Sequence, residues 1–150
     1  MKKVIGNLIT LTLQGYFDVL VHGCNCYCSM GAGIAKPISQ TFPEAFNADK
    51  ATVKGDRSKL GNYSYAAVVR RGHPITIVNA YTQFDFWSKG PRADYDAIDH
   101  VFSLIARDFG DKRIAYPLIG AGLAGGDWER IEKSINKHLN GLDHTLVVLP

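Results

Sequence analysis

Short apolar runs alternate along the chain with segments in which apolar residues recur at every third or fourth position. The runs predict strands at residues 3–5, 11–14, 19–22, 63–69, 75–80, 113–116 and 145–149. The helical spacing predicts helices that begin near Ile34, at Pro43, at Asp94 and at Asp127, and residues 6–10 are predicted to be a turn. Strands that alternate with helices are typical of an α/β fold with a mainly parallel sheet. No linker or repeat divides the chain, so we predict one domain over residues 1–150.

Two of the predicted strands end in glycine-rich turns that lead into helices. The first turn, Gly31-Ala32-Gly33, follows the strand at 19–22, and the second, residues 117–126, follows the strand at 113–116. Glycine lets the backbone come close to a ligand, and the free N–H groups at a helix start attract an anion. Parallel strands bring both turns to the edge where open α/β sheets bind ligands. Together they predict a phosphate-binding site, although either turn alone is equally typical of a tight turn with no ligand.

Neither turn carries a standard nucleotide-binding motif. No lysine follows the glycines as G-x-x-x-x-G-K-[ST] requires, and Pro37 lies near the position of the third glycine of G-x-G-x-x-G. The sequence therefore disfavours nucleoside triphosphate hydrolysis and NAD redox chemistry. With Gly33 as the N-cap, Pro37 lies in the first helical turn, where its missing N–H would have no partner anyway.

The composition indicates a folded chain, with 46% hydrophobic and 21% charged residues. No apolar run approaches the ~20 residues that span a bilayer, and the apolar stretch after Met1-Lys2-Lys3 is too short for a signal peptide. We therefore expect a cytoplasmic protein with no membrane partner. A net charge of +3 from scattered basic residues suits a small anionic ligand and disfavours nucleic acid as a partner.

The three cysteines, Cys24, Cys26 and Cys28, occupy alternate positions. An odd number at this spacing is a poor disulfide framework, and no second pair of ligands completes a zinc site. We expect reduced cysteines at the end of a buried strand, with no metal and no cofactor.

Residues beside the glycine-rich turns are candidates for chemistry. His22 could shuttle a proton or attack phosphorus, and a hydrogen-bonded core histidine is the alternative. Asp127 could orient a water or His22, although aspartate just before a helix is also a good N-cap. Cys24 lacks the C-x5-R loop of cysteine phosphatases, which disfavours it as a nucleophile. The aromatic residues of the next loop form either a lid or a cluster packed on itself: Tyr81, Phe84, Phe86 and Trp87.

Several further segments carry a family pattern: Val4-Ile5-Gly6-Asn7-Leu8-Ile9, His22-Gly23-Cys24-Asn25-Cys26, Met30-Gly31-Ala32-Gly33-Ile34-Ala35, Phe42-Pro43-Glu44-Ala45, Tyr81-Thr82-Gln83 with Arg92-Ala93, and residues 117–123. Together they resemble the macrodomain family, in particular its Appr-1-p processing branch. The resemblance covers nearly the whole chain. It implies a three-layer α/β/α sandwich with a mixed, mainly parallel central sheet and a cleft for ADP-ribose.

The resemblance also implies roles for individual residues. Asn7, at a position where many macrodomains carry aspartate, would flank adenine, and Asn25 would face the distal ribose. His22 matches the histidine of the phosphatase branch, and His22, Asn25 and Asp127 are the predicted catalytic residues. The predicted ADP-ribose contacts are Asn7, Leu8, Ile9, Gly23, Cys24, Met30, Gly31, Ala32, Gly33, Ile34, Ala35, Ile119, Gly120, Ala121, Gly122, Leu123 and Ala124.

Three functions fit this resemblance. The leading hypothesis is a phosphatase that converts ADP-ribose 1''-phosphate to ADP-ribose and phosphate. The second is a hydrolase that removes ADP-ribose from an ADP-ribosylated protein. The related branch uses a lysine after the strand at 75–80, where this chain has Thr82 and Gln83, and its nearest lysine is Lys89. The third is a module that binds free or protein-linked ADP-ribose without turnover.

Overall fold

Six strands form a single sheet at the centre of the domain. The strands are Lys2–Ile5 (β1), Val19–Cys24 (β2), Tyr63–Arg70 (β3), His73–Tyr81 (β4), Ile114–Tyr116 (β5) and His144–Val148 (β6). In the computed structural model, which describes all residues 1–150, their order across the sheet is β1-β6-β5-β2-β4-β3. Only β3 runs antiparallel to its neighbour, and every other pair is parallel. The predicted mixed, mainly parallel sheet is confirmed.

Helices cover both faces of this sheet. They are Leu8–Leu13 (α1), Ala35–Thr41 (α2), Pro43–Lys50 (α3), Tyr95–Phe109 (α4) and Trp128–His138 (α5), and a short 3-10 helix spans Arg57–Lys59. One core cluster joins the sheet to α4 and α5, and a second joins the opposite face to α1, α2 and α3. The three-layer α/β/α arrangement is therefore confirmed. None of the helices has the length and apolarity that crossing a membrane requires.

Strand β2 shows why the central strands appear in the sequence as continuous runs of apolar residues. Side chains alternate between the two faces of a strand, so Val19 and Val21 pack under α4 and α5 while Leu20 packs on the other side. Both faces of β2 are buried, and apolar residues are needed on each of them. The same alternation places His22 on the side of Leu20, away from α4 and α5.

The segment 6–14 differs from the prediction. We predicted a turn at 6–10 and a strand at 11–14, but the structure has helix α1 at Leu8–Leu13. Its β-branched and apolar residues favour a strand by propensity. The helix forms because Asn7 caps it through Thr10 N and because Leu8 and Thr12 share a buried face.

The start of α2 also differs by one residue. Ile34, rather than Gly33, is the N-cap, so Pro37 is the third helical residue instead of the fourth. Pro37 still lies in the first turn, where its missing N–H leaves no hydrogen bond broken. The predicted helices at Pro43, Asp94 and Asp127 are confirmed, and the last two aspartates cap α4 and α5 through their side chains.

Candidate functional site

A cleft of about 930 Å³ lies at the carboxyl ends of the central parallel strands. Both glycine-rich turns line it, the first through Gly31 to Ala35 and the second through Gly120 and residues 122–124. A Cβ atom placed on Gly33 would lie 3.3 Å from Cδ1 of Leu123. The two turns therefore lie close together at the cleft, because β2 and β5 are neighbours in the sheet. This confirms the predicted convergence of the turns at one edge.

Each turn presents backbone N–H groups that have no partner. The N–H groups of residues 31–34 in the first turn, and of Gly120, Gly122, Leu123 and Ala124 in the second, donate no hydrogen bond within the protein. Backbone donors normally find a partner. Two sets of free donors on turns that line one cleft are suited to bind an anion with several oxygens, such as a diphosphate.

The second turn is held in shape by its own contacts. Gly120 has a φ of +74°, and the Gly126 N–H donates to the Gly120 carbonyl over 2.7 Å. A Cβ on Gly126 would lie 2.5 Å from that carbonyl oxygen, so no larger residue fits there. Arg92 adds two bonds from outside the turn: its backbone N–H donates to Ala124 O at 2.7 Å and its Nη2 to Leu123 O at 2.6 Å.

Gly23, near the end of β2, allows the Thr82 side chain to approach the strand closely at the cleft. A Cβ on Gly23 would lie 2.7 Å from Oγ1 of Thr82, which follows β4. Thr82 is buried, and its hydroxyl has no hydrogen-bond partner. Any side chain at position 23 would displace Thr82, so the floor of the cleft at this point requires glycine.

His22 does not line the cleft, contrary to what its predicted catalytic role requires. Its side chain is completely buried under α3, and Nε2 donates to Oδ1 of Asn79 over 2.7 Å. The Asn79 amide is oriented by its own donations to Ala45 O and to Ser64 Oγ. Burial lowers the pKa of His22 to about 4, so the imidazole is neutral at neutral pH. The structure therefore places His22 as a hydrogen-bonded core histidine.

Three other predicted residues also lie outside the cleft lining. Asp127 is exposed and caps α5, accepting a hydrogen bond from Glu129 N over 3.1 Å. Met30 is buried in a small cluster with cysteines and Tyr81, and it lines a second cavity instead. Ala121 belongs to the second turn but does not line the cleft. For Asp127 and Met30, helix capping and core packing account for the position.

Asn25 and Asn7 do line the cleft, but their side chains also shape the local backbone. Oδ1 of Asn25 accepts from Tyr27 N over 2.8 Å, and Nδ2 donates to Ser29 O over 3.0 Å. Oδ1 of Asn7 accepts from Thr10 N over 3.0 Å. The other predicted contacts that line the cleft are Leu8, Ile9, Gly23, Cys24, Gly31, Ala32, Gly33, Ile34, Ala35, Ile119, Gly120, Gly122, Leu123 and Ala124.

Sequence reasoning left several lining residues out of the site. Arg92 is the only charged side chain that lines the cleft, and its Nε is buried without a partner. The strand end at residues 147–149 also lines it, as do Ser29, Pro37, Thr82, Gln83, Phe86, Pro117 and Leu118. Arg92 follows Gly90-Pro91 in a loop without periodicity. Only its attachment to the second glycine turn, which the sequence does not reveal, assigns it to the cleft.

The aromatic loop divides between the core and the surface. Tyr81 is buried, whereas Phe86 and Trp87 are 49% and 58% exposed. Tyr27 packs edge-on against both Phe84 and Trp87. Phe86 alone of this set lines the cleft, so the loop is a packed cluster with one aromatic side chain at the cleft mouth.

Comparison with known proteins relates this chain to one family and to several of its named relatives. Residues 21–135 match the model of the Macro domain family. An uncharacterized 17.5 kDa protein from the tk-vs intergenic region of Enterobacteria phage T4 is 33% identical over 98% of this chain and 95% of its own length. An ADP-ribose 1''-phosphate phosphatase from Debaryomyces hansenii is 24% identical over 93% of this chain and 94% of its own.

A DNA ADP-ribosyl glycohydrolase from Mycobacterium tuberculosis is 28% identical over 82% of this chain, but this chain spans only 35% of that protein. Among solved structures, the macrodomain of Thermus aquaticus DarG superposes with a TM-score of 0.75 at 21% identity, covering 99% of this chain and 97% of that one. Thermosipho africanus DarTG, solved in complex with ADP-ribose, superposes with a TM-score of 0.71 at 16% identity, covering 92% of this chain and 39% of that one.

Proposed function

The chain belongs to the Macro domain family, and from that premise we propose that its cleft binds ADP-ribose and that the protein removes phosphate from ADP-ribose 1''-phosphate. The observation that carries the proposal is the close pair of glycine-rich turns that line one cleft, each with unpaired N–H groups. A diphosphate between them would accept hydrogen bonds from both sets without displacing any bond within the protein.

The order of the strands supports one orientation of the ligand. The turns follow β2 and β5, so the diphosphate lies over the middle of the sheet. Toward β6 and β1 the cleft is apolar, with Leu8, Ile9 and Leu149, which suits an adenine ring. Toward β2 and β4 it is more polar, with Asn25, Thr82 and Gln83, which suits the distal ribose and its 1''-phosphate.

The proposed reaction is attack of water on phosphorus with cleavage of the bond to O1''. No histidine, lysine or carboxylate side chain lines the cleft, so side-chain charge comes from Arg92 alone. Its guanidinium and the free N–H groups would stabilise the negative charge of the phosphoryl group in the transition state. Relatives named ADP-ribose 1''-phosphate phosphatase support this choice of substrate. We assign His22 a positioning role, through its contacts with Asn79 and Cys24.

Binding is tested by calorimetry with ADP-ribose on the Gly33→Ala variant. Gly33 has a φ of +58°, which strains any other residue, and a new Cβ would press on the Leu123 side chain at 3.3 Å. We expect affinity to fall by about tenfold, equivalent to ~1.4 kcal/mol. Gly72→Ala is the matched control, because Gly72 has a φ of +73° with nothing within 4 Å of its Cβ position. Equal affinities for the two variants would contradict the proposed phosphate site.

Turnover is tested by phosphate release from ADP-ribose 1''-phosphate. We expect Arg92→Gln to lower the rate by about tenfold or more, since a charge-assisted contact is lost. Lys89→Gln removes a neighbouring charge that does not line the cleft, and this control should retain the wild-type rate. If neither wild type nor control releases phosphate while ADP-ribose still binds, the chain is a binding module.

A second candidate is removal of ADP-ribose from a macromolecule. It is supported by the mycobacterial relatives named DNA ADP-ribosyl glycohydrolase. No lysine lines the cleft, which disfavours a covalent lysine mechanism. Incubation with DNA and protein that carry labelled ADP-ribose separates the candidates, because the label would leave the macromolecule only under this second reaction.

A further inference from the structure

The three cysteines differ sharply in their surroundings. Cys24 and Cys26 are buried, and burial raises the pKa of Cys26 to about 11 and that of Cys24 well above its ordinary value. Cys28 is partly exposed and lines a cavity of about 700 Å³ next to the main cleft. Oxidants act on thiolates that they can reach, so Cys28 is the thiol that the fold leaves open to them.

A buried lysine faces this thiol. The Lys59 side chain is only 8% exposed, and its Nζ lies 3.7 Å from Sγ of Cys28. Nζ also donates to Cys26 O over 3.0 Å and lies 4.8 Å from the centre of the Tyr81 ring. No carboxylate forms a salt bridge with Lys59, and the nearby Asp49 accepts through Oδ1 from the Tyr81 hydroxyl. The amine is therefore held beside the sulfur without a competing ion pair.

The sulfur is held in place from its other side. Cys28 Sγ lies 3.3 Å from Asp49 O, in the last turn of α3, and 3.6 Å from Thr52 Oγ1, just after that helix. The backbone of Cys28 has a φ of +55°, which a non-glycine residue adopts at a cost of roughly 1 kcal/mol. Contacts on both sides fix the thiol between α3 and Lys59, within reach of the cavity.

We propose that Cys28 and Lys59 form a covalent sulfur–nitrogen crosslink when the chain meets hydrogen peroxide. The Cys28 thiol loses its proton and attacks a peroxide oxygen as the thiolate, the O–O bond breaks, and the departing hydroxide takes up that proton and leaves as water. Sulfur is oxidised to a sulfenic acid by two electrons while peroxide is reduced. The lone pair of the Lys59 amine then attacks Sγ, the S–O bond breaks, and the oxygen leaves with an amine proton as a second water.

The crosslink is a modification site distinct from the proposed ADP-ribose chemistry. It joins the turn that carries Asn25 and Ser29, which line the cleft, to the segment before β3. The flexible four-carbon stem of Lys59 lets Nζ close the remaining distance to Sγ. Neither residue lines the main cleft, so crosslinking does not depend on any ligand or turnover.

The experiment treats the full chain with a small excess of hydrogen peroxide and measures its intact mass. We expect the chain to become lighter by two hydrogen atoms. Tryptic mapping should show the peptide with Cys28 joined to that with Lys59, and dithiothreitol should reverse the change. Lys59→Arg keeps a long basic side chain at this position but should stop at the sulfenic acid, which dimedone traps.

A disulfide between two cysteines would also remove two hydrogen atoms, and two variants separate it from the crosslink. The Cys24→Ser, Cys26→Ser double variant keeps the crosslink if Lys59 is the partner and loses the mass change if a cysteine is. A mass loss that persists in Lys59→Arg, or oxygen addition to Cys28 in the wild type without any mass loss, would overturn the proposal. Should Lys59→Arg fail to fold, the double-serine variant decides alone.

Discussion

Stability should fall steeply with acid because His22 is buried in its neutral form. Its pKa is about 4 in the folded chain against an ordinary value of 6.5, and burial is the main cause. The unfolded chain therefore binds this proton more readily than the folded chain does. The contribution of a neutral His22 is fully present above the unfolded pKa and is lost as the pH falls toward the folded pKa.

The size of the effect follows from the two pKa values. Each unit of difference is equivalent to about 1.36 kcal/mol. Between about pH 7.5 and about pH 4.5, the unfolded chain gains nearly a full proton at His22, whereas the folded chain gains only a fraction of one. Protonation should therefore lower the free energy of unfolding by about 2.5 kcal/mol over this interval. A His22→Gln variant keeps a polar side chain beside Asn79 and does not titrate.

The assay is urea unfolding of wild type and His22→Gln at both pH values. His144 and the carboxylates with shifted pKa values titrate in both proteins, so their effects cancel in the double difference. We expect the wild type to lose about 2.5 kcal/mol more than the variant does. Equal losses in the two proteins, or an NMR titration of His22 with a pKa near 6.5, would refute the buried neutral imidazole.

Five further substitutions, at four positions, test the turns and the helix caps. Gly126→Ala would place Cβ against the carbonyl of Gly120, so it should destabilise the fold by about 1–3 kcal/mol in urea unfolding. Gly122→Ala is the control, because its Cβ position is open space, and its stability should lie within about 0.5 kcal/mol of wild type. Asp127→Ala should cost about 1 kcal/mol of stability without reducing the rate of phosphate release. Asp127→Asn preserves the cap and should restore the stability. A collapse of the phosphate-release rate in both variants would instead make the carboxylate catalytic. Asn7→Ala should likewise cost about 1 kcal/mol, and thermal melts that match wild type would show that its cap is dispensable.

The parts of the fold that sequence reasoning predicted are those whose determinants are local. Apolar spacing and the N-cap Asp94 specify α4, and buried apolar runs specify β2 and β4. Helix α1 was missed because its stability depends on a cap and on tertiary packing of Leu8, against the strand propensity of its residues.

The site shows the same division between local and distant determinants. The backbone turns were predicted because glycine spacing after a strand is a local pattern. The side chains were harder to place: a histidine at a strand end faces either the cleft or the core, and only the pleat of β2 in the folded sheet directs His22 into the core. Arg92 belongs to the cleft through bonds to Leu123 and Ala124, which are distant from it in sequence. The resemblance included Arg92 but gave it no role.

The strand order also determines when the cleft can exist. Strands β5 and β6, which come from the end of the chain, insert between β1 and β2, which come from its beginning. During synthesis, the second glycine-rich turn cannot take its place in the cleft until β5 and β6 have joined the sheet. Ligand binding would therefore indicate that all four of these strands are in place. A bound ligand would also stabilise the folded sheet against separation of these strands.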